Sequence, residues 1–322
     1  MLLLLLLTTG AIVSSPLGVG ATVLNPPARR PIVIIGVDGL AARSVAASPG
    51  FAPILENSSY TLRARAIEHT RSYEGWQAIL MGGYAAEDNT YASGDRHPPL
   101  FTYIRSQMPE AKLWLVGRYY IVRWSINHTA ADFYQWTRTA EETTDAFVGH
   151  VDKSRPPDLT VLYFLDVDSA GHDWGWDSAH YKGAVEHVAY QIKRVRYALP
   201  SALIFIVSDH GGRGGGHIYY GRDMRKAATD IDSPYHRDVP WIRYGDPHPR
   251  PLCDTIQNSE TVAEVARALG IKPHPSWRTR GGWLPRDMPC TKQDVAPRTA
   301  GGEVAKAAVS VVVAHVVVLC AT

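Results

Sequence analysis

The sequence predicts an α/β fold in three layers, with helices on both faces of a mostly parallel central sheet. Three observations carry this. Ile32–Val37, Leu159–Leu165 and Leu203–Val207 are apolar runs with no polar alternation, the pattern of strands buried on both faces, as in parallel sheets. A long helical stretch over Tyr181–Leu199, closed by Pro200, joins the second run to the third, and strand, helix, strand at such lengths is the unit of a parallel sheet. The chain has 322 residues, 45% hydrophobic and 20% charged, enough to bury a full core.

The elements follow in order. Residues 1–21 open with Leu2 to Leu7, stay apolar through Val13 and end at Val19-Gly20-Ala21, the layout of a secretory signal peptide. Residues 22–275 hold the predicted α/β domain. Its first strand, Ile32–Val37, stops at Asp38-Gly39, and helical pieces over Ala41–Ala47 and Phe51–Leu55 follow. Gln77 to Met81 is helical, closed by Gly82-Gly83, so Ser72 falls at or just before a helix N-terminus. A serine there serves as a cap; the same position also places a hydroxyl beside backbone N–H groups suited to a phosphate-like anion.

Residues 85–100 are turn-rich, Phe101–Gln107 is helical, and Lys112–Gly117 is a strand. Thr139–Val151 forms an amphipathic helix broken at Arg155-Pro156-Pro157. The strand Leu159–Leu165 then runs into Asp166-Val167-Asp168-Ser169-Ala170-Gly171-His172, where Asp168 and His172 face one point across a small-residue turn. After Leu203–Val207 come Ser208-Asp209-His210 and a glycine-rich loop reaching His217. That loop is not a P-loop, because no Gly-Lys-Ser/Thr follows. Asp238–Gly245 is a further strand and Glu260–Leu269 a helix ended by Gly270. Residues 276–306, rich in Pro, Gly and Arg, make a stalk, and 307–322 an apolar tail.

Net charge is +2, from 33 basic against 31 acidic residues, and no basic helix appears, which argues against a nucleic-acid surface. The sequons Asn57-Ser58-Ser59 and Asn127-His128-Thr129 agree with export. Of three cysteines, Cys320 lies in the tail, leaving Cys253 and Cys290 as the one disulfide open to the mature chain; no two are close enough in sequence for a thiolate zinc site.

Chemistry gathers where the buried strands end. Asp38, Asp168 and Asp209 each follow one of them, and His172, His210 and His217 lie close behind. Open α/β sheets place ligands at this edge. Three carboxylates there repel one another unless cations neutralise them. Mixed Asp/His ligation suits zinc, and two such ions roughly 4 Å apart clamp both oxygens of an in-line displacement.

These residues resemble the alkaline phosphatase superfamily, on its type I phosphodiesterase/nucleotide pyrophosphatase side, over roughly residues 32–270. The carriers are Val37-Asp38-Gly39, the D-x-x-x-H pair Asp168 and His172 with Gly171 before the histidine, Ser208-Asp209-His210-Gly211, the histidine after the glycines, and Val239-Pro240-Trp241-Ile242. The resemblance implies an alkaline phosphatase-like sheet and a two-zinc phosphoric ester hydrolase acting through a covalent phospho-serine. It implies that Asp168, His172 and His217 hold one ion, and that Asp38, Asp209 and His210 hold the other, completed by the oxygen of Ser72. Ser72 lies ten residues before Gly82, where the family nucleophile stands; Glu74 replaces the family's proline, and Thr70 is the alternative nucleophile. His236 is the alternative to His217.

The implied substrate is a small-molecule or lipid/glycan phospho-ester. A sulfatase requires Pro and Arg after its modified nucleophile, which Ser72-Tyr73-Glu74 does not supply. A phosphotransferase like the GPI phosphoethanolamine transferases shares the strand-end motifs, and a surface-tethered, inactive binding protein would share the fold. The tail after the small residues Ala300, Gly301 and Gly302 suits a GPI-attachment signal at the cell surface, with a short tail anchor as the rival.

Overall fold

The computed structural model describes residues 29–67, 70–83, 97–118, 122, 125–214, 216, 234–252, 256–277 and 296–297. The expectations for the leader, the turn-rich stretch 85–96, His217, the three cysteines, most of the stalk and the tail lie outside those residues. Among the described residues no helix is long and apolar enough to cross a membrane.

The strands are β1 (Ile32–Val37), β2 (Ser58–Arg65), β3 (Leu113–Gly117), β4 (Phe133–Gln135), β5 (Leu159–Phe164), β6 (Leu203–Val207) and β7 (Asp238–Tyr244). They form one seven-stranded sheet in the order β2-β7-β6-β1-β5-β3-β4. β1 is central and pairs parallel with β5 and β6; Val37 stands opposite Phe164, and Gly36 opposite Val207. The three chains therefore leave the sheet level with one another. β3 continues the parallel set beside β5, and β4 beside β3. At the other side β7 runs antiparallel to both β6 and β2.

Each β1 side chain is buried, and successive ones enter opposite layers. Ile32 and Ile34 join a core with Trp76, Ile79, Leu80, Phe101 and Val262, under helices α3 (Ser72–Met81), α4 (Leu100–Gln107) and α9 (Thr261–Ala268). Val33, Ile35 and Val37 join a second core with Val45, Phe147, Val185 and Ile192. That face is covered by α1 (Ala42–Ala47), α2 (Ala52–Glu56), α5 (Ala140–His150) and α7 (Ala179–Ala198). Burying each such aliphatic side chain contributes roughly 1.5–3 kcal/mol, so a strand buried on both faces is strongly held. The expected three-layer, mostly parallel fold is what forms.

Two remaining helices, α6 (Asp166–Trp174) and α8 (Pro234–Arg237), lie at the site. The starts of α5 and α7 are capped, by Thr139 accepting from the Glu142 N–H and by Ser178 accepting from the Tyr181 N–H. Two features differ from the sequence expectation. The stretch after β5 is helical rather than a turn, so Asp168 and His172 share a face through i,i+4 spacing. Strands β2 and β4 were not expected; β2 shows only a weak alternation, Tyr60, Leu62 and Ala64 against Arg63 and Arg65.

Candidate active site

The level ends of β1, β5 and β6 bring three carboxylates to one point. Asp38 follows β1, Asp168 lies in the first turn of α6, and Asp209 and His210 follow β6. Asp38, Asp209 and His210 have no exposed surface and Asp168 is buried. One ligand atom from each of Asp38, Asp168 and His210 lies within 4.8 Å of the others, a candidate metal-binding group. His210 Nε2 is the hub: it stands 3.4 Å from Asp38 Oδ1, 3.4 Å from Asp209 Oδ2 and 4.0 Å from Asp168 Oδ1. His172 Nε2 is 3.5 Å from Asp168 Oδ1, on the outer side of the cluster and half exposed.

Ser72 is the first residue of α3, which enters over this cluster. Its Oγ lies 3.3 Å from Asp38 Oδ1 and 3.2 Å from His210 Nε2. The helix begins with Arg71 as its N-cap and no side-chain cap bond, so the Ser72 hydroxyl faces the carboxylates and is not a cap. Gly75, one turn on, lets α3 approach: a Cβ there would sit 2.7 Å from the Asp209 Cβ. Glu74, where the family has proline, turns to Arg71 at 3.4 Å in the first turn, a favourable place for an acidic group.

Several residues that sequence reasoning passed over hold these groups in place. Asp38 Oδ2 accepts from the Trp76 indole N–H at 3.0 Å and from the Tyr163 hydroxyl. Ser208 Oγ accepts from the Leu40 N–H and donates to the His210 carbonyl, tying the ends of β1 and β6 together. Trp176 donates to the Gly39 carbonyl and packs against Gly171 and Gly212, where a Cβ would come within 2.7 and 2.2 Å of its ring. Arg43 reaches the Gly212 carbonyl at 2.7 Å and lies over the Tyr235 ring. The signal was faint: a tryptophan four residues after Ser72.

Burial and mutual repulsion dominate the electrostatics. Burial, with Asp38 adding to it, pushes the Asp168 carboxyl up to about 8. Burial followed by Asp38 and Asp168 drives Asp209 well above the usual carboxylate range. Burial also holds His210 below its usual range, against the pull of Asp38. His210 Nδ1 lies 2.9 Å from the Gly211 carbonyl; a carbonyl only accepts, so Nδ1 carries the proton and a neutral ring turns its Nε2 lone pair to the carboxylates. Asp209 Oδ2 is buried without a hydrogen bond. Buried carboxylates around a lone pair, one oxygen lacking a donor, fit a cation of the zinc type.

Of the sequence-predicted residues, the structure brings Asp38, Ser72, Asp168, His172, Asp209 and His210 together. Asp166 stays out and caps α5, accepting from the Ala140 N–H at 2.8 Å. Thr70 is buried two residues before α3, while the bonds to Asp38 and His210 belong to Ser72. His236, the alternative to His217, is carried to the site's edge, its carbonyl accepting from the Gly211 N–H at 2.7 Å.

Residues 117–221 match the profile of the type I phosphodiesterase / nucleotide pyrophosphatase family. No curated protein matches the chain in sequence. Among solved structures, murine ectonucleotide pyrophosphatase/phosphodiesterase 5, in an inactive form in complex with AMP, superimposes with a TM-score of 0.58 at 11% identity, covering 77% of this chain and 96% of that one. An alkaline phosphatase superfamily protein of Vibrio parahaemolyticus gives 0.54 at 14% identity, covering 83% and 72%. The lipoteichoic acid synthase LtaP of Listeria monocytogenes gives 0.55 at 10% identity, covering 76% and 72%. The chain shares the mixed α/β fold of these structures, with its mostly parallel central sheet. The matched stretch contains Asp168, His172, Asp209 and His210, whereas Asp38 and Ser72 lie outside it and reach the site through the fold.

Proposed function

We propose that this chain, with its alkaline phosphatase-like fold and its phosphodiesterase-family segment, is a metal-dependent phosphoric ester hydrolase with Ser72 as nucleophile. The observation that carries the reading is the place of the Ser72 hydroxyl, at the start of α3 and within 3.3 Å of both Asp38 Oδ1 and His210 Nε2. Asp38, Asp209, His210 and Ser72 are assigned to one zinc ion, and Asp168, His172 and His217 to a second. Zinc bound there would supply Lewis-acid stabilisation of the oxygens around phosphorus.

The chain's own groups do the rest. Ser72 carries one proton and faces Asp38 Oδ1 and His210 Nε2, which hold its oxygen toward the cluster; with those two atoms assigned to the ion, the Ser72 proton leaves to solvent water. Ser72 Oγ then forms a bond to phosphorus while the bond to the ester's alcohol oxygen breaks. The N–H groups of the first turn of α3 point the way an anionic phosphoryl group needs. Water cleaves the phospho-serine and restores Ser72. The substrate class is a phospho-ester of a small molecule, lipid or glycan.

The test is turnover of a chromogenic phosphodiester and a chromogenic phosphomonoester by the purified chain, chelated and then resupplied with zinc. Hydrolysis of either that disappears with the chelator and returns with zinc supports the reading. No turnover and no bound metal would favour a binding protein with this fold.

A further inference from the structure

Asp38 divides its two oxygens between different tasks. Oδ1 faces Ser72 Oγ at 3.3 Å and His210 Nε2 at 3.4 Å. Oδ2 is taken on the far side by two donors, the Trp76 indole N–H at 3.0 Å and the Tyr163 hydroxyl. Both donors come from rigid elements, Trp76 from the second turn of α3 and Tyr163 from β5. Their rings meet edge to face at 5.2 Å and are buried. The Trp76 ring lies over Gly36 of β1, where a Cβ would stand 2.4 Å from it. Trp76 and Ser72 are one helical turn apart and touch the two oxygens of the same carboxylate, so one bond fixes both the carboxylate and the register of the nucleophile.

We propose that Trp76 and Tyr163 are positioning residues that confine Asp38 to one coordinating oxygen and set the register of Ser72 over it. This rests on the assignment of a metal ion to Asp38. A carboxylate held by two hydrogen bonds on one oxygen presents the other in a fixed direction, and such supporting bonds raise metal affinity by about 10- to 100-fold. A single oxygen beside an imidazole suits a four-coordinate zinc ion. It suits calcium poorly, which takes roughly six to eight oxygens and often both from one carboxylate.

The experiment is zinc affinity by competition with a chromophoric chelator, on the wild-type chain, Tyr163→Phe and Trp76→Phe, each with a melting temperature in the metal-free form. Tyr163→Phe keeps the ring and removes only the donor. It should melt near wild type and bind zinc about 10- to 100-fold more weakly. Trp76→Phe should weaken zinc likewise and also lower kcat more than Tyr163→Phe does, because Ser72 loses its register. A Tyr163→Phe chain that folds and binds zinc as tightly as wild type overturns this inference alone. A wild-type chain that takes no zinc overturns the metal assignment and the inference together. If Trp76→Phe fails to fold, Tyr163→Phe still decides.

Discussion

Removing metal should make this protein progressively less stable as pH rises from about 4 to about 8. In the metal-free chain Asp168 is pushed up to about 8 from the ordinary 3.8, first by burial and then by Asp38, and Asp209 is driven well above its ordinary range by the same causes. A raised carboxyl binds its proton more tightly in the folded state than in the unfolded one. Between the two pKa values the folded chain holds more protons, so stability falls as pH climbs. The contribution is fully present below pH 3.8 and is lost as pH passes through about 8. A displacement of roughly four pH units corresponds to on the order of 5 kcal/mol from Asp168, a large part of a typical domain's stability. The assay is a series of thermal melts of chelator-treated protein from pH 4 to 9, repeated with saturating zinc. The metal-free melting temperature should fall across the window, and zinc should restore it most at the alkaline end, where the carboxylates are free of protons to bind it. A metal-free melting temperature that is flat or rises between pH 5 and 8 would refute the reasoning.

Ser72→Ala should keep its fold and its metal and lose turnover by roughly 10⁴-fold or more, while Thr70→Ala stays within a small factor of wild type; the reverse pattern in steady-state rates would move the nucleophile by two residues. Asp209→Ala removes an anionic ligand from the ion proposed for Asp38, Asp209 and His210, so metal analysis should find about one equivalent less zinc per chain and rates should show activity abolished. Full activity in that variant would remove Asp209 from the site.

The central strands were legible because each is a nearly bare apolar run, the composition typical of a strand buried on both faces. Their carboxylate ends were legible for the same reason: Asp38 and Asp209 stand where apolar sequence stops. The separation of Asp168 from Asp166 was also readable, since only Asp168 has a histidine four residues on, although α6 rather than a turn carries the pair. Strand β2 was hidden by Ser58, Ser59, Arg63 and Arg65, and what marks it is its antiparallel partner β7, a long-range contact. The start of α3 at Ser72 was readable by counting back from Gly82-Gly83, but that the Ser72 hydroxyl faces Asp38 and does not cap the helix comes from the close approach of Gly75 to Asp209. Trp76, Tyr163 and Trp176 read as core in sequence, and are core; their second role comes from a single polar atom each, aimed at Asp38 or the Gly39 carbonyl. Gly36, inside a strand of large aliphatics, was the one trace of the tryptophan above it.

The most direct measurement is the mass of the Ser72 peptide during turnover. Zinc-loaded protein is mixed with bis(p-nitrophenyl) phosphate, quenched in acid within the first turnovers, digested and weighed. The account predicts a p-nitrophenyl phosphoryl group on Ser72, formed as one p-nitrophenolate leaves. The modification should be absent from Ser72→Ala and from chelated protein. Turnover with an unmodified Ser72 peptide, or with the group on another residue, would contradict it.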